Sequence, residues 1–150
     1  VVVMELSGQE LLSALEHGAT DPVFTFLPPE TRTEDARLIE EAEVRPATNF
    51  LYPSGMRLVI DYTRPWGERV VLARVGRDRL RPDRAYTIAM DSFLAQGYSG
   101  YQWFVQGRNR REAGKVMDLL ATELRRLARA GPLRGRLDGR LHVRGLRFAA

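Results

Sequence analysis

The stretch Tyr86–Tyr101 reads YTIAMDSFLAQGYSGY and joins a strand pattern to an aromatic residue and a glycine-bounded loop. Alternating apolar side chains over residues 86–90 predict a half-buried strand. Phe93 follows the turn that ends this strand, and the loop between Gly97 and Gly100 comes next. Because glycine has no Cβ, such a loop curls tightly and approaches a ligand or another segment closely. The stretch is therefore typical either of a base-stacking pocket or of a core aromatic beside a simple turn.

The composition is that of an ordinary globular domain. The chain has 150 residues, 44% hydrophobic and 28% charged, which suffices for one domain with its own core. The sequence contains no run of roughly 20 apolar residues, no signal-peptide pattern and no cysteine. The net charge is +4, and Lys115 is the one lysine among 23 basic residues. Because no long apolar run is present, no membrane is expected as a partner. We read the arginine bias as genomic, so a nucleic acid is not expected as a partner either.

Local signals divide the chain into short helices and strands. Val1–Leu6 reads as a strand, and a capping box of Ser7 and Glu10 begins a helix for which Gly18 is the expected C-cap. Further expected elements are strands at Met56–Tyr62, Arg69–Val75 and about Leu141–Phe148, and an amphipathic helix at about Arg110–Ala130. Strands and helices do not alternate regularly, so we predict an α+β fold with a mixed or antiparallel sheet covered by helices.

Two further blocks of sequence accompany residues 86–101. Residues 50–70 read FLYPSGMRLVIDYTRPWGERV, and residues 5–16 read ELSGQELLSALE. The three blocks resemble, in the same order, three motifs of the C-terminal, substrate-binding domain of the 5'-nucleotidase family. Those motifs are L-T-G-x-x-L-x-x-x-L-E, then F-L-Q-V-S-G-L-R with D-x-x-R-P-P-G-E-R-V, then Y-x-V-A-T-N-D-F-L-A-x-G-G-D-G-Y. The resemblance covers most of residues 1–101.

The resemblance implies a particular domain organisation. Residues 1–150 would form a single 5'-nucleotidase C-terminal-like domain, a fragment of a longer two-domain protein, and the opening Val1–Val3 reads as an interior strand. In the family, an N-terminal metallophosphoesterase domain holds divalent metal ions and cleaves the phosphate ester. The family's connection is shorter than residues 19–48, so we expect an insertion there. The resemblance implies a periplasmic or secreted protein, and the sequence itself does not give the compartment.

The resemblance also implies which residues bind substrate. Phe93 would stack on the nucleobase, while Gly97, Tyr98 and Ser99 would shape the ribose side of the pocket. Ser99 stands where the family has the acidic residue that holds the ribose hydroxyls, and it offers one hydroxyl in place of a charged acceptor. Tyr98 stands where the family has glycine, and it adds bulk and a second aromatic surface. A core or degenerate-pocket role for Phe93 remains the alternative.

Residues for catalysis are missing from the sequence. Its two histidines, His17 and His142, are far apart, whereas a two-metal site needs many clustered ligands. We instead expect His17 to interact with the dipole at a helix C-terminus. The Gly97–Gly100 loop falls short of a nucleophile elbow, because Tyr101 stands where that motif requires glycine. No catalytic residue, metal or cofactor is therefore expected in this chain.

Two functional hypotheses from different classes follow. In the first, the chain is the nucleoside- or nucleotide-recognition domain of a 5'-nucleotidase-like metallophosphoesterase. Its partners would then be a nucleoside or nucleotide substrate and the N-terminal catalytic domain. In the second, the chain is a diverged domain that no longer binds nucleotides and serves as a structural or interaction module of a related hydrolase. A third reading, a basic nucleic-acid-binding module, lacks a recognised binding motif.

Overall fold

The computed structural model describes residues 1–20, 24–26, 44–46, 50–135 and 138–145. The strands are β1 (Val2–Ser7), β2 (Phe24–Phe26), β3 (Val44–Pro46), β4 (Met56–Asp61), β5 (Val70–Val75), β6 (Asp78–Arg79), β7 (Ala85–Met90), β8 (Arg108–Glu112) and β9 (Leu141–Arg144). The helices are α1 (Gly8–Gly18), α2 (Ser92–Ala95), α3 (Gln102–Val105) and α4 (Val116–Ala128), and Tyr98–Gly100 forms a 3-10 turn. Apart from β2 and β3, which pair with each other, most of the predicted insertion at 19–48 lies outside the described residues.

Two larger sheets carry the fold. In the first, β1 lies between β7 and β8 and pairs antiparallel with both, so that Val2 faces Met90 and Ser7 faces Ala85. In the second, the strand order is β6-β5-β4-β9, with β4 antiparallel to β5 and parallel to β9. One sheet is antiparallel and the other mixed, and helices accompany both. The predicted α+β class is therefore confirmed.

Helix α1 begins at the predicted capping box. The Glu10 N–H donates to the Ser7 hydroxyl at 3.2 Å, and the Ser7 N–H donates back to the Glu10 carboxylate at 2.6 Å. At the other end the prediction is wrong by one residue, because Gly18 is the last helical residue and Ala19 is the C-cap. The Ala19 N–H still reaches the carbonyl groups of the last turn with φ −88°, so no left-handed glycine is needed there.

The core lies on both sides of α1. Leu11 and Leu15 of α1 pack with the β4 residues Leu58 and Ile60 in one cluster. Ala14 of α1 joins the second cluster, which it forms with buried residues of β1 and of the segment after β7: Val2, Met4, Leu6, Ala95, Tyr101 and Phe104. The alternation predicted for β7 is present, because Tyr86, Ile88 and Met90 point inward and their neighbours are exposed. Helix α1 thus links the two sheets.

The C-terminal region differs from its prediction at one end. The helix predicted from about Arg110 begins only at Val116, because residues 108–112 instead pair with β1 as strand β8, and Gly114 adopts φ +125° between the two elements. The apolar face of α4 is exposed: Val116, Met117, Leu120, Leu124 and Leu127. Strand β9 confirms the first half of the predicted final strand, and residues 146–150 lie outside the described residues.

Candidate functional site

Phe93 lies at the surface, one residue into the short helix that follows β7. Asp91 caps this helix, because its carboxylate accepts the Leu94 N–H at 2.8 Å and its backbone stays extended. The cap turns the chain sharply at the end of β7 and projects Phe93 outward, while Ala95 two residues later is fully buried. The Phe93 side chain is 55% exposed. Local capping chemistry therefore explains why this ring is available to solvent.

The turn after α2 depends on its two glycines. Gly97 and Gly100 both have positive φ, at +84° and +83°. A Cβ on Gly97 would lie 2.6 Å from the Val105 side chain, and a Cβ on Gly100 would lie 2.8 Å from the His17 ring. Ser99, between them, also has positive φ, at +58°, which is uncommon for a residue with a side chain. The turn is therefore tightly curled against α1 and α3.

His17 clamps this turn to α1. Its Nε2 donates a hydrogen bond to the Ser99 carbonyl at 2.8 Å. Its ring meets Tyr101 edge-on at 4.8 Å between centroids and lies 5.7 Å from Trp103. The predicted position of His17 in the last turn of α1 is confirmed, but sequence reasoning missed the contact with Ser99, 82 residues away. No signal in the local sequence could have shown this contact.

Phe93 and Tyr98 stack on each other. Their rings are 4.3 Å apart between centroids and only 10° from parallel, and the Tyr98 side chain is 51% exposed. Of the four residues predicted to bind substrate, the structure places Gly97, Tyr98 and Ser99 in one turn and brings the Tyr98 ring onto Phe93. The pair forms an aromatic surface that is about half exposed.

A carboxylate and a guanidinium lie near this surface, and both are engaged in hydrogen bonds. The 97–100 turn carries no carboxylate, and the Asp91 carboxylate nearby is already engaged as a cap. Arg110 reaches the far end of α2, where its guanidinium donates to the Ala95 carbonyl at 2.9 Å. The turn itself offers its backbone and the hydroxyl groups of Tyr98 and Ser99.

Tyr101 supports the turn from below. It is fully buried and stacks on Phe104 at 5.2 Å between centroids. Burial raises the pKa of the Tyr101 phenol to about 12, so this side chain stays neutral at physiological pH. Tyr101 is therefore a core residue, although it belongs to the same sequence motif as the exposed Phe93.

An apolar groove of about 690 Å³ borders the same end of β7. Asp91, two residues before Phe93, and Leu94, the residue after it, line this groove together with the segment Phe50–Met56, whereas Phe93 itself does not line it. Tyr52, which is 61% exposed, stands at this groove and packs edge-on against Phe50. The groove therefore reaches the chain on either side of Phe93 without including its ring.

The described residues do not supply a metal site. Across the described ranges, no group of three or more histidine, cysteine, aspartate or glutamate side chains converges. His17 and His142 lie on α1 and β9, which belong to different parts of the fold. Across the same ranges, no helix has the length and apolar character needed to cross a bilayer.

Together, the fold and this surface define a small α+β domain that presents an aromatic pair on a clamped glycine turn. The chain belongs to the family described as 5'-nucleotidase, C-terminal domain, whose model matches residues 1–106. The match ends just after the turn and α3, so it contains the whole candidate site.

Known relatives agree with this assignment. An apyrase from Tabanus yao is 30% identical over an alignment of 123 residues, and the match covers 77% of this chain and 19% of that protein. The crystal structure of a 5'-nucleotidase precursor from Thermus thermophilus superposes with a TM-score of 0.67 at 28% identity, over 95% of this chain and 24% of that one. A Thermus thermophilus sulfate thiohydrolase, SoxB, solved with glycerol, gives 0.59 at 23% identity over 99% of this chain and 23% of that one, which shows the shared fold alone. The chain thus spans about a fifth to a quarter of the length of these relatives.

Proposed function

We propose that this chain is the nucleoside- or nucleotide-recognition domain of a 5'-nucleotidase-like metallophosphoesterase. Phosphate monoester hydrolysis would take place in an N-terminal domain that carries the divalent metal ions, outside these 150 residues. Within this chain, Phe93 would stack on the nucleobase, and Gly97, Tyr98 and Ser99 would form the ribose side. The family membership supports the hydrolase context, and the family relatives include a nucleotidase and an apyrase.

The observation that carries the proposal is the exposure of Phe93. Large aromatic side chains are usually mostly buried, because removing their apolar surface from water is favourable. Here a capped turn holds a phenyl ring at the surface, beside a glycine turn and an apolar groove. A ring presented in this way suits a flat aromatic ligand, and base–aromatic stacking contributes about 1–3 kcal/mol.

Titration of the full-length protein with adenosine and uridine tests the proposal. We expect Phe93→Ala to weaken binding of both by roughly 5- to 150-fold, the equivalent of the stacking contribution. Trp66→Ala is the matched control, because this side chain is an exposed aromatic outside both the turn and the groove. Equal affinity of wild type and Phe93→Ala would remove Phe93 from the pocket.

A second candidate function is favoured by two specific observations. The turn has Ser99 in the place of the family's acidic residue, and the Tyr98 ring already covers one face of Phe93. Both features suit a diverged domain that acts as a structural or interaction module of a related hydrolase. In that case no nucleoside would bind to the wild type or to any variant of the turn.

A further inference from the structure

We propose that Tyr98 competes with the ligand for one face of Phe93, so that the site accepts only molecules whose aromatic ring displaces the tyrosine ring. This inference rests on the proposed function and deepens it, because it concerns the same surface. It assigns Tyr98 a role in specificity: a nucleoside would open the stack, whereas an ester without an aromatic ring would leave it closed.

The first observation behind the competition is the spacing of the two rings. Phe93 and Tyr98 lie 4.3 Å apart between centroids and almost parallel, which is full stacking contact. Atoms of stacked rings approach to about 3.5–4 Å, so inserting a base between the two rings requires about 7–8 Å. No base fits between them as they stand. A ligand on this face of Phe93 therefore has to replace the Tyr98 ring.

The second observation behind the competition is the position of the turn relative to Phe93. Under the proposed function, the ribose lies at residues 97–99 while the base lies on Phe93. Tyr98 belongs to that turn and its ring covers one face of Phe93. Because the Tyr98 ring belongs to a residue of this turn, a base that takes the place of this ring lies next to the turn.

The third observation is that hydrogen bonds hold the backbone of the turn in place. His17 holds the Ser99 carbonyl, the Gly97 N–H donates to the Leu94 carbonyl at 2.9 Å, and the Tyr101 N–H donates to the Tyr98 carbonyl. The backbone at Tyr98 is thus held on both sides, whereas its side chain is half exposed. Exposed side chains change rotamer within nanoseconds. The Tyr98 ring can therefore leave Phe93 without rearrangement of the turn.

The energetic consequence is a modest but measurable loss of affinity in the wild type. An aromatic pair of this geometry shifts an equilibrium constant by about two- to twelvefold. Ligand binding has to overcome this factor before the base–phenyl contact is gained. Replacing Tyr98 by a residue without a ring removes the competitor and leaves the Phe93 face open.

The test measures adenosine affinity by calorimetry in the full-length protein. We expect Tyr98→Ala to bind adenosine about two- to twelvefold more tightly than wild type, and Tyr98→Phe, which keeps the ring, to bind as wild type does. The double variant Phe93→Ala/Tyr98→Ala should bind as weakly as Phe93→Ala alone. If Tyr98→Ala binds adenosine as wild type does or more weakly, while Phe93→Ala is still impaired, the proposed competition is wrong. Tyr98 would then support the bound ligand instead of competing with it.

NMR of the Phe93 ring protons is a second readout, and its first comparison needs no ligand. Stacking shifts the NMR signals of the Phe93 ring protons through the ring current of Tyr98, so Tyr98→Ala should move these signals and Tyr98→Phe should not. Adding adenosine to the wild type should move them as well. If neither wild type nor Tyr98→Ala binds adenosine, the proposed function fails together with the competition. If adenosine binds but the stack stays closed, the competition alone fails.

Discussion

Single residues of the family motifs fall into two groups in this structure. Phe93 and Tyr98 lie at the surface, whereas Tyr101 is buried and Gly8 is covered by the turn before β7. A Cβ on Gly8 would lie 2.0 Å from the Arg81 carbonyl oxygen, and the Gly8 N–H donates to the Arg84 carbonyl at 2.8 Å. The glycine of the first motif therefore serves backbone packing, and only part of the third motif is available to a ligand.

We expect Gly8→Ala to destabilise the domain. Gly8 lies in the first turn of α1, where alanine would favour the helix by up to about 1 kcal/mol. The clash with the Arg81 backbone outweighs this gain, because overpacking costs about 1–3 kcal/mol or more and a backbone oxygen cannot rotate away. Urea unfolding measures the difference. Gly135→Ala is the matched control, because a Cβ there meets open space, and an equally stable Gly8→Ala protein would contradict the packing argument.

Restoring the family's carboxylate in Ser99→Asp distinguishes the two candidate functions. Aspartate tolerates the positive φ of this position, and its carboxylate would accept hydrogen bonds from ribose hydroxyls. Charge-assisted bonds contribute about 1.5–3 kcal/mol, so we expect roughly 10- to 150-fold tighter binding of adenosine. A 2',3'-dideoxynucleoside is the control ligand and should gain nothing. The absence of any gain with adenosine would favour the diverged, non-nucleotide-binding domain.

Helix α1 is the element that holds the site to the rest of the fold. Its last turn carries His17, which clamps the 97–100 turn, and Glu16, whose carboxylate accepts the N–H groups of Arg69 and Val70 at 3.1 and 2.7 Å. The Arg69 guanidinium donates to the Ala19 carbonyl at 2.7 Å and so satisfies the C-terminus of the helix. One short helix therefore connects the candidate site with the second sheet.

We expect Ser7→Ala to cost about 1 kcal/mol of the free energy of unfolding. The variant removes the hydroxyl that accepts the Glu10 N–H, and the loss of an N-cap residue typically has this magnitude. Because α1 carries His17, the loss should also loosen the turn at Ser99. Ser13→Ala, in the middle of the same helix, is the control and should not destabilise, since alanine is the better helix former. Chemical denaturation would show whether the cap variant loses more than the control.

Across the molecule, Asp61 connects segments that are far apart in the chain. Residues 58–61 of β4 pair in parallel with β9, and Asp61 is buried at the end of this pairing. Its carboxylate accepts the Thr63 hydroxyl at 2.6 Å and the Thr63 N–H at 3.0 Å, and it pairs with Arg144 at 3.0 Å. These donors, Thr63 first and Arg144 after it, hold the pKa of Asp61 below its usual range.

The lowered pKa of Asp61 predicts the pH dependence of stability. The folded state binds this proton less readily than the unfolded state, whose aspartate pKa is about 3.9. The stabilising contribution is therefore complete above the unfolded pKa and is lost as the pH falls through the folded pKa. We expect Asp61→Asn to be less stable than wild type at pH 7, with the gap narrowing toward pH 3. Urea unfolding at several pH values measures this, and exposed Asp78→Asn serves as control. A gap independent of pH would contradict the assignment.

The sequence predicted those parts of the fold that depend on neighbours in the chain. The capping box of Ser7 and Glu10, the alternation over residues 86–90 and the strands β4 and β5 all follow from contacts within a few residues. The predicted start of the helix at 110–130 is wrong because residues 108–112 pair with β1 as a strand. Such pairing with a distant segment is not encoded in the local sequence. The periodicity of α4 was read correctly, but periodicity alone cannot tell whether the apolar face is covered.

The candidate site divides in the same way. The residues Phe93, Gly97, Tyr98 and Ser99 and their order along the chain were readable from the motif, together with the α+β class and the family. Tertiary structure alone decided that the Tyr98 ring lies on Phe93, that His17 holds Ser99 and that Tyr101 is buried. The physical reason is range: capping and strand alternation act over two to four residues, whereas ring stacking, clamping and burial depend on which distant segments the packed core brings into contact.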